Sequence, residues 1–459
     1  MSETVYVVHC IDTEGPLHES VEATFDRLKS IFKLDLEPST EMLRRLQAGE
    51  VDLGGLESAV RKVVDPHLLS YNDTWEKVDA MLDECMSDEF RTHVRDTFGG
   101  GWVYNWFCVD HVDYESNPRR RDMGYHNIFD HYQQTIRETK STRDGLHFHY
   151  HPHSFRKQAH HCATHWWSSS DSLHQIISRR VIDKKWFPAA HRPGFHVIRP
   201  DSHWFLEQFV PFDYSSQAML PTEDDKAQFG LMGGRLGDWR RSPVNWQPYH
   251  PAHDDYQLPG NCRRWVARCL NVGTRYKLLA ESDVRQAFGE AREGRPVILS
   301  FTNHDFRDMR PDVRGVLDML IHVSKDFPDV PFKFSEALEA MRGALSLTPQ
   351  PPCGLDMSLT SIGDSTHVLE VHSVTPTFGP QPWLALKTNA GTYHYDNFDI
   401  EEPFHRWQYV FDEETFPVTA LSAIGVAANN ASGVTTVAVM DAASKKVFKQ
   451  HWNETEASF

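Results

Sequence analysis

An α/β domain built on a parallel sheet or barrel, followed by an all-β sandwich, is the architecture this sequence predicts. Three observations lead there. Apolar β-branched runs alternate with amphipathic helical stretches from residue 4 to about 345, and such βα alternation makes parallel strands with helices outside. A Pro-rich segment at 346–354 then interrupts the pattern. Beyond it the apolar period switches to two and turn residues recur, as in short antiparallel strands.

Residues 4–11 read as a buried strand, because they are apolar and β-branched. A helical insertion is expected over about 20–100. Ser39-Thr40-Glu41 and Asp73-Thr74-Trp75-Glu76 have the residue types that cap helices, and Val78, Met81, Leu82 and Met86 follow at helical spacing. Gly99-Gly100-Gly101 ends the insertion. A second strand is expected over 102–109 and a helix over 125–139, leading into a histidine-rich stretch at 147–165. Further on, helices are expected over 171–180, 201–209, 281–293, 312–327 and 335–342, with strands over 189–192, 296–302 and 330–334. Residues 220–262 show no period and read as loop. In the last part, strands are expected over 367–374, 383–387, 392–395, 407–411, 420–427 and 435–441. Their inner face is assigned to Val368, Leu369, Val371, Leu384, Leu386, Val410, Ile424, Val426 and Val437. Trp383, Tyr393, Tyr395 and Trp407 are left as exposed aromatics for sugar binding, unless this part serves subunit contacts in a homo-oligomer. The expected boundaries are a catalytic domain at 1–345, a linker at 346–354 and a β-domain at 355–459.

Composition narrows the function. Hydrophobic residues make up 40% of the chain and charged residues 24%, as in globular proteins. The net charge is −17, which argues against a nucleic-acid partner, since a phosphate binder needs a basic stripe. The seven cysteines are scattered and none has CxxC spacing, so free thiols in a reducing compartment are expected. A first strand starting so near Met1 leaves no room for a signal peptide, and no apolar run is long enough to span a bilayer; a cytoplasmic location is expected. Aromatic residues reach 12%, with 13 Trp. Trp102, Trp106, Trp166, Trp167, Trp204, Trp239 and Trp246 lie near the motifs, where they serve either as core or as walls for sugar rings.

Five motifs carry chemistry. Asp12-Thr13-Glu14-Gly15-Pro16 sets two acids at the end of the first strand. In Gly145-Leu146-His147-Phe148-His149-Tyr150-His151-Pro152, His147 and His151 stand four apart, a spacing that on a helical turn points both imidazoles at one metal. His149 and His153 form a rival pair of the same spacing. Arg192-Pro193-Gly194-Phe195, then Phe212-Asp213-Tyr214-Ser215-Ser216, then Thr302-Asn303-His304-Asp305 complete the set. Acid pair, histidine pair, arginine and late histidine are the parts of metal-assisted hydrolysis.

Taken in order, these motifs resemble the polysaccharide deacetylases, the NodB-homology domain of carbohydrate esterase family four. The resemblance covers about residues 4–345, less the insertion and the 220–262 loop. It implies a distorted or incomplete (β/α) barrel of that type. It also implies a divalent metal, zinc by preference, on Glu14, His147 and His151. Asp12 becomes the base, held by Arg192; His304 becomes the general acid, oriented by Asp213. The implied activity is removal of an acetyl or formyl group from an amino sugar, free or linked to a nucleotide or lipid, in the making of a surface glycan. The sequence departs from the family in separating the two acids by Thr13 and in placing His196 where the third motif has glycine. Two other readings stay open. One is a hydrolase of small linear amides or cyclic imides; the other is a carbohydrate-binding protein without turnover.

Overall fold

The computed structural model describes residues 2–453 apart from 115, 116, 118, 120–123, 156, 158–165, 221–235, 276 and 349. Most of the histidine-rich tract beyond His153 and part of the 220–262 loop therefore lie outside the described residues. The chain enters through β1 (Val5–Thr13) and departs into five helices: α1 (Val21–Phe32), α2 (Thr40–Ala48), α3 (Glu57–Val63), α4 (Trp75–Cys85) and α5 (Asp88–Thr92). The expected caps form: Ser39 Oγ accepts from the Met42 N–H at 3.1 Å and Thr74 Oγ1 from the Lys77 N–H at 3.4 Å. The chain returns with β2 (Tyr104–Cys108), α6 (Asn127–Glu138), β3 (Gly145–Tyr150), α7 (Ser170–Arg179), β4 (Ala190–Pro193), α8 (Pro200–Phe209) and β5 (Phe212–Ser216). Then come β6 (Trp265–Asn271), α9 (Glu281–Arg292), β7 (Val297–His304), α10 (Arg310–Ser324), β8 (Phe332–Phe334) and α11 (Ala337–Ala344).

The strands from β1 to β7 run parallel in chain order, and β1 pairs with both β7 and β2, so seven strands close into a barrel. The short β8 pairs only with the first residues of β1, from Val5↔Phe332 to Val7↔Phe334. Side-chain parity sorts each strand. Val5, Val7 and Ile11 face the outer helices, whereas Val8 and Cys10 face the barrel interior with Phe107, Tyr214, Cys269 and Ile298. Ala337, Leu338, Ala340 and Met341 of α11 share that interior cluster and plug the end opposite the strand C-termini.

One expectation is corrected here, and one strand is added. The histidine segment is a strand, not a helical turn, so residues two apart share a face. The strand at Trp265–Asn271 follows the loop-like region without any sequence-based expectation, because Arg268 and Asn271 break its apolar run. Of the tryptophans near the motifs, Trp102, Trp106, Trp166, Trp239 and Trp246 are buried core, and only Trp167 and Trp204 are exposed.

After residue 354 the chain forms β9 (Asp356–Ser361), β10 (His367–His372), β11 (Trp383–Thr388), β12 (Tyr393–Asp396), β13 (Asp399–Glu402), β14 (Arg406–Phe411), β15 (Leu421–Asn429), β16 (Thr435–Asp441) and β17 (Val447–Trp452). They make two antiparallel sheets, ordered β13-β14-β10-β9 and β12-β11-β15-β16-β17. The sheets share an apolar cluster that includes Leu369, Val371, Leu384, Leu386, Ile424 and Val426, as expected. Among the described residues of this part, no α-helix occurs, only a 3-10 turn at Val418–Ala420. Val368 and Val410 point away from the shared cluster, and Val437 faces the barrel domain.

The aromatics expected to be exposed are not. Trp383 is fully buried against Phe205, Phe209 and Tyr395, and its Nε1–H donates to Ser178 Oγ at 3.2 Å. Trp407 and Tyr393 are buried too. These rings hold the β-domain together and onto the barrel, which removes them from a sugar-binding role. No helix among the described residues is long and apolar enough to cross a membrane.

Candidate active site

Parity and register bring the site together at the C-terminal end of the barrel, where α/β barrels place their chemistry. Asp12 lies two residues beyond Cys10 on the inward face of β1 and is the register partner of His304 on β7. His149, on the inward face of β3, is the register partner of Arg192 on β4. Asp12, Glu14, His149 and Arg192 are all buried.

Arg192 grips Asp12 with a fork. Its Nε donates to Oδ1 at 2.5 Å and its Nη2 to Oδ2 at 3.2 Å, while Nη1 donates to the Tyr214 carbonyl at 2.9 Å. Burial alone would lower the Arg192 pKa, but Asp12 outweighs it and holds the guanidinium above its ordinary value. The fork therefore holds the carboxylate by charge-assisted hydrogen bonds to both of its oxygens. His196 stands 2.9 Å from Arg192 Nη2 and is held neutral by burial and by that guanidinium. Its place in the third motif is thus a packed support for the arginine.

Glu14, His149 and His151 offer ligand atoms that all lie within 4.8 Å of one another. The two imidazole Nε2 atoms are 2.8 Å apart, and Glu14 Oε1 is 3.5 Å from His151 Nε2 and 4.0 Å from His149 Nε2. Two ligands on one zinc at tetrahedral angles stand about 3.3–3.6 Å apart, given bonds of about 2.0–2.2 Å; the observed spacings straddle that range. His149 Nδ1 donates to the Arg192 carbonyl at 2.8 Å. That bond fixes the tautomer and leaves Nε2 with its lone pair, the form in which histidine binds a metal. Burial, then His151, keeps His149 neutral. One carboxylate and two imidazoles leave room for water and a substrate oxygen, so these residues fit a divalent metal.

His147, expected as a ligand, is not part of this group. It sits one pleat deeper in the barrel, with Nε2 3.0 Å from Glu336 Oε1 and 3.2 Å from Asn105 Oδ1. Glu336 caps α11, so His147 belongs to the plug. The rival His153 faces Asp113 and Ser172 instead, at 3.2 Å from each. Asp213, expected to orient His304, is corrected as well. It has the opposite parity to Phe212 and Tyr214, lies outside the barrel interior, and has Arg264 as its counter-ion at 3.4 Å.

His304 faces the acids: Nε2 is 3.7 Å from Asp12 Oδ2 and 3.9 Å from Glu14 Oε1. Burial pushes its pKa down to about 3, with the two acids offsetting part of the effect. The residue that sequence reasoning left without a role is Asp305. It accepts from the Glu14 N–H at 2.9 Å, the Gly15 N–H at 2.8 Å and the Tyr132 hydroxyl at 2.9 Å. Asp305 thereby fixes the turn that carries Glu14, and burial raises its pKa to about 6. Gly15 is required there: its φ is +68°, and a Cβ would lie 2.6 Å from Ile128 Cδ1. Asp305 was legible only as the neighbour of His304.

No known family model matches this chain, and a search of curated proteins found no match.

Proposed function

We propose that this chain is a metal-dependent hydrolase that removes an acetyl or formyl group from an amino sugar, on a barrel of the polysaccharide deacetylase type. The observation that carries the reading is the convergence of Glu14, His149 and His151 beside the Arg192-held Asp12 and His304, at the strand C-termini. The order of these residues along the chain also resembles that family. A divalent metal on Glu14, His149 and His151 would supply Lewis acidity toward the acyl oxygen and toward a water. Asp12, oriented by Arg192, takes the proton of the attacking water. His304 is neutral at physiological pH, so it acts as an acid only after gaining a proton. Its Nε2 lies 3.7 Å from Asp12 Oδ2. The proton that Asp12 takes is thus the one His304 hands to the departing amine.

The substrate proposed is an acylated amino sugar, free or linked to a nucleotide, a lipid or a nascent glycan. The test pairs metal analysis of purified protein with acetate and formate release from a panel of acetamido and formamido sugars. One bound metal and acyl release are expected. Bound metal with release only from small linear amides or cyclic imides would move the activity to those substrates. Bound metal with sugar affinity but no release would make the chain a binding protein.

A further inference from the structure

Between the five-helix insertion and the barrel rim lies a cluster of arginines that the hydrolytic site does not use. Arg27 comes from α1, Arg275 from the segment after β6 and Arg307 from the segment after β7. The Arg307 guanidinium lies 5.3 Å from the Tyr71 ring, and Tyr71 also adjoins Arg27 and Arg275. Arg27 and Arg119 both pair with Glu19. Beside Arg307 stands Asp312, which accepts from Asn303 Nδ2 at 3.0 Å. Among the described residues, Arg27, Arg275 and Arg307 thus outnumber the carboxylates Glu19 and Asp312 beside them.

The cluster has donors to spare. Arg275 Nε and Arg307 Nε each donate to a main-chain carbonyl at 3.1 Å, of Val63 and Leu68. Arg27 Nη1 and Arg275 Nη2 are buried without a hydrogen-bond partner among the described residues, and the Arg27 side chain is only 9% exposed. Burial and then the Arg27 charge push Arg275 down to about 10. Buried donors of this kind call for an acceptor, and repelling guanidiniums call for a negative one.

The cluster also adjoins the reaction site. The Phe306 ring lies 4.6 Å from the His304 ring, and the Arg307 guanidinium lies 4.8 Å from the same Phe306 ring. One aromatic ring thus separates the arginines from His304.

We propose that Arg27, Arg275 and Arg307 form a receptor for an oxyanion, phosphate or carboxylate, that the substrate carries near the acyl group to be removed. Guanidinium forks match the two-oxygen edge of either group. Placing that oxyanion on the substrate rests on the hydrolase reading; the binding itself does not.

The test measures binding without turnover. Full-length protein is titrated with inorganic phosphate by calorimetry and thermal shift, against chloride at equal ionic strength. Saturable binding and a Tm that climbs with phosphate are expected. Arg275→Gln should weaken binding on the order of 10–100-fold, the loss of a charge-assisted hydrogen bond. In anion-free buffer it should keep or raise Tm, because it relieves repulsion. Arg275→Lys, which keeps the charge and loses the fork, gives a second reading should the glutamine variant fold poorly. Titration with a nucleoside-diphosphate acetamido sugar and with an acetamido uronic acid then distinguishes a phosphate from a carboxylate source. No saturable anion binding, or equal binding by both variants and the parent, would overturn the receptor. Anion binding lost in Arg275→Gln with no acyl release from any sugar leaves the receptor and removes the hydrolase. Acyl release from charged substrates at unchanged kcat/KM in Arg275→Gln does the reverse.

Discussion

At Asp12 the Arg192 guanidinium occupies both carboxylate oxygens, while Glu14, two residues on, presents Oε1 to the imidazoles of His149 and His151. One acid thus faces an arginine and the other two imidazoles, the division that the proposed roles of base and ligand require. Asp12→Asn should keep the metal and the fold but lose turnover by about 10²–10⁴-fold, the usual cost of a removed general base. Metal analysis beside steady-state kinetics checks this, and a variant turning over at the parent rate would take the base role from Asp12. The two histidines of β3 separate in the same way. His149→Ala should lose the metal. His147→Ala should retain it and lose about 1–3 kcal/mol of stability, as expected when a buried hydrogen-bonding partner is removed. The opposite result by metal analysis and urea unfolding would return the ligand role to His147.

At the scale of elements, the helices of the insertion meet the barrel through polar bonds as well as packing. Asn72 Nδ2 donates to the Asp305 carbonyl at 3.0 Å and the Asn72 N–H to the Phe306 carbonyl at 2.9 Å, so the insertion anchors the segment that carries His304. Strand β1 is itself tied to its neighbours by His9. Its Nδ1 accepts from Trp102 Nε1–H at 3.1 Å, and its Nε2–H donates to Asn303 Oδ1 at 2.9 Å. The bonds fix a neutral tautomer. Burial lowers the His9 pKa from 6.5 to about 4, with Asn303 offsetting part. Burial, and then Arg264, lowers His203 to about 4 as well. Between those values the unfolded chain binds protons that the folded chain refuses, so stability falls as pH drops from about 6.5 toward 4. Denaturant unfolding across that window should show the loss. A flat profile would mean that both histidines gain protons within the fold.

For the whole molecule, the β-domain is part of one packed body with the barrel. Asn429 Nδ2 donates to the Pro188 and Phe209 carbonyls at 2.7 and 2.8 Å, and Arg342 donates to the Ser432 and Asn453 carbonyls at 2.7 Å each. Trp383, Ala385, Ala427, Val437 and Val439 join the large apolar cluster of the barrel. Trp383→Ala should therefore cost about 3–5 kcal/mol, the range for a deleted core aromatic. Truncation at Pro351 should expose that face and cause aggregation. A truncated protein that stays monodisperse and keeps the parent Tm would show that the barrel stands without the β-domain.

The sequence alone determined the barrel-then-β order, most element positions and the identities of Asp12, Glu14, His151, Arg192 and His304 as one cluster. The order and the positions rest on apolar period, a local property, and the cluster on an order of motifs that resembles the polysaccharide deacetylases. It did not determine which histidine joins Glu14, where Asp213 points, or that Trp383 and Trp407 are buried. Each of these depends on the face a side chain presents. Spacing of four is met by a helical turn and by alternate strand positions alike, so His147 and His151 looked equivalent until β3 set His147 against Glu336, two pleat repeats below His151. Asp305 meets Glu14 and Gly15, and Arg307 meets Tyr71 and Arg27, from segments far apart in the chain, and only the closed barrel with its helical roof brings them together.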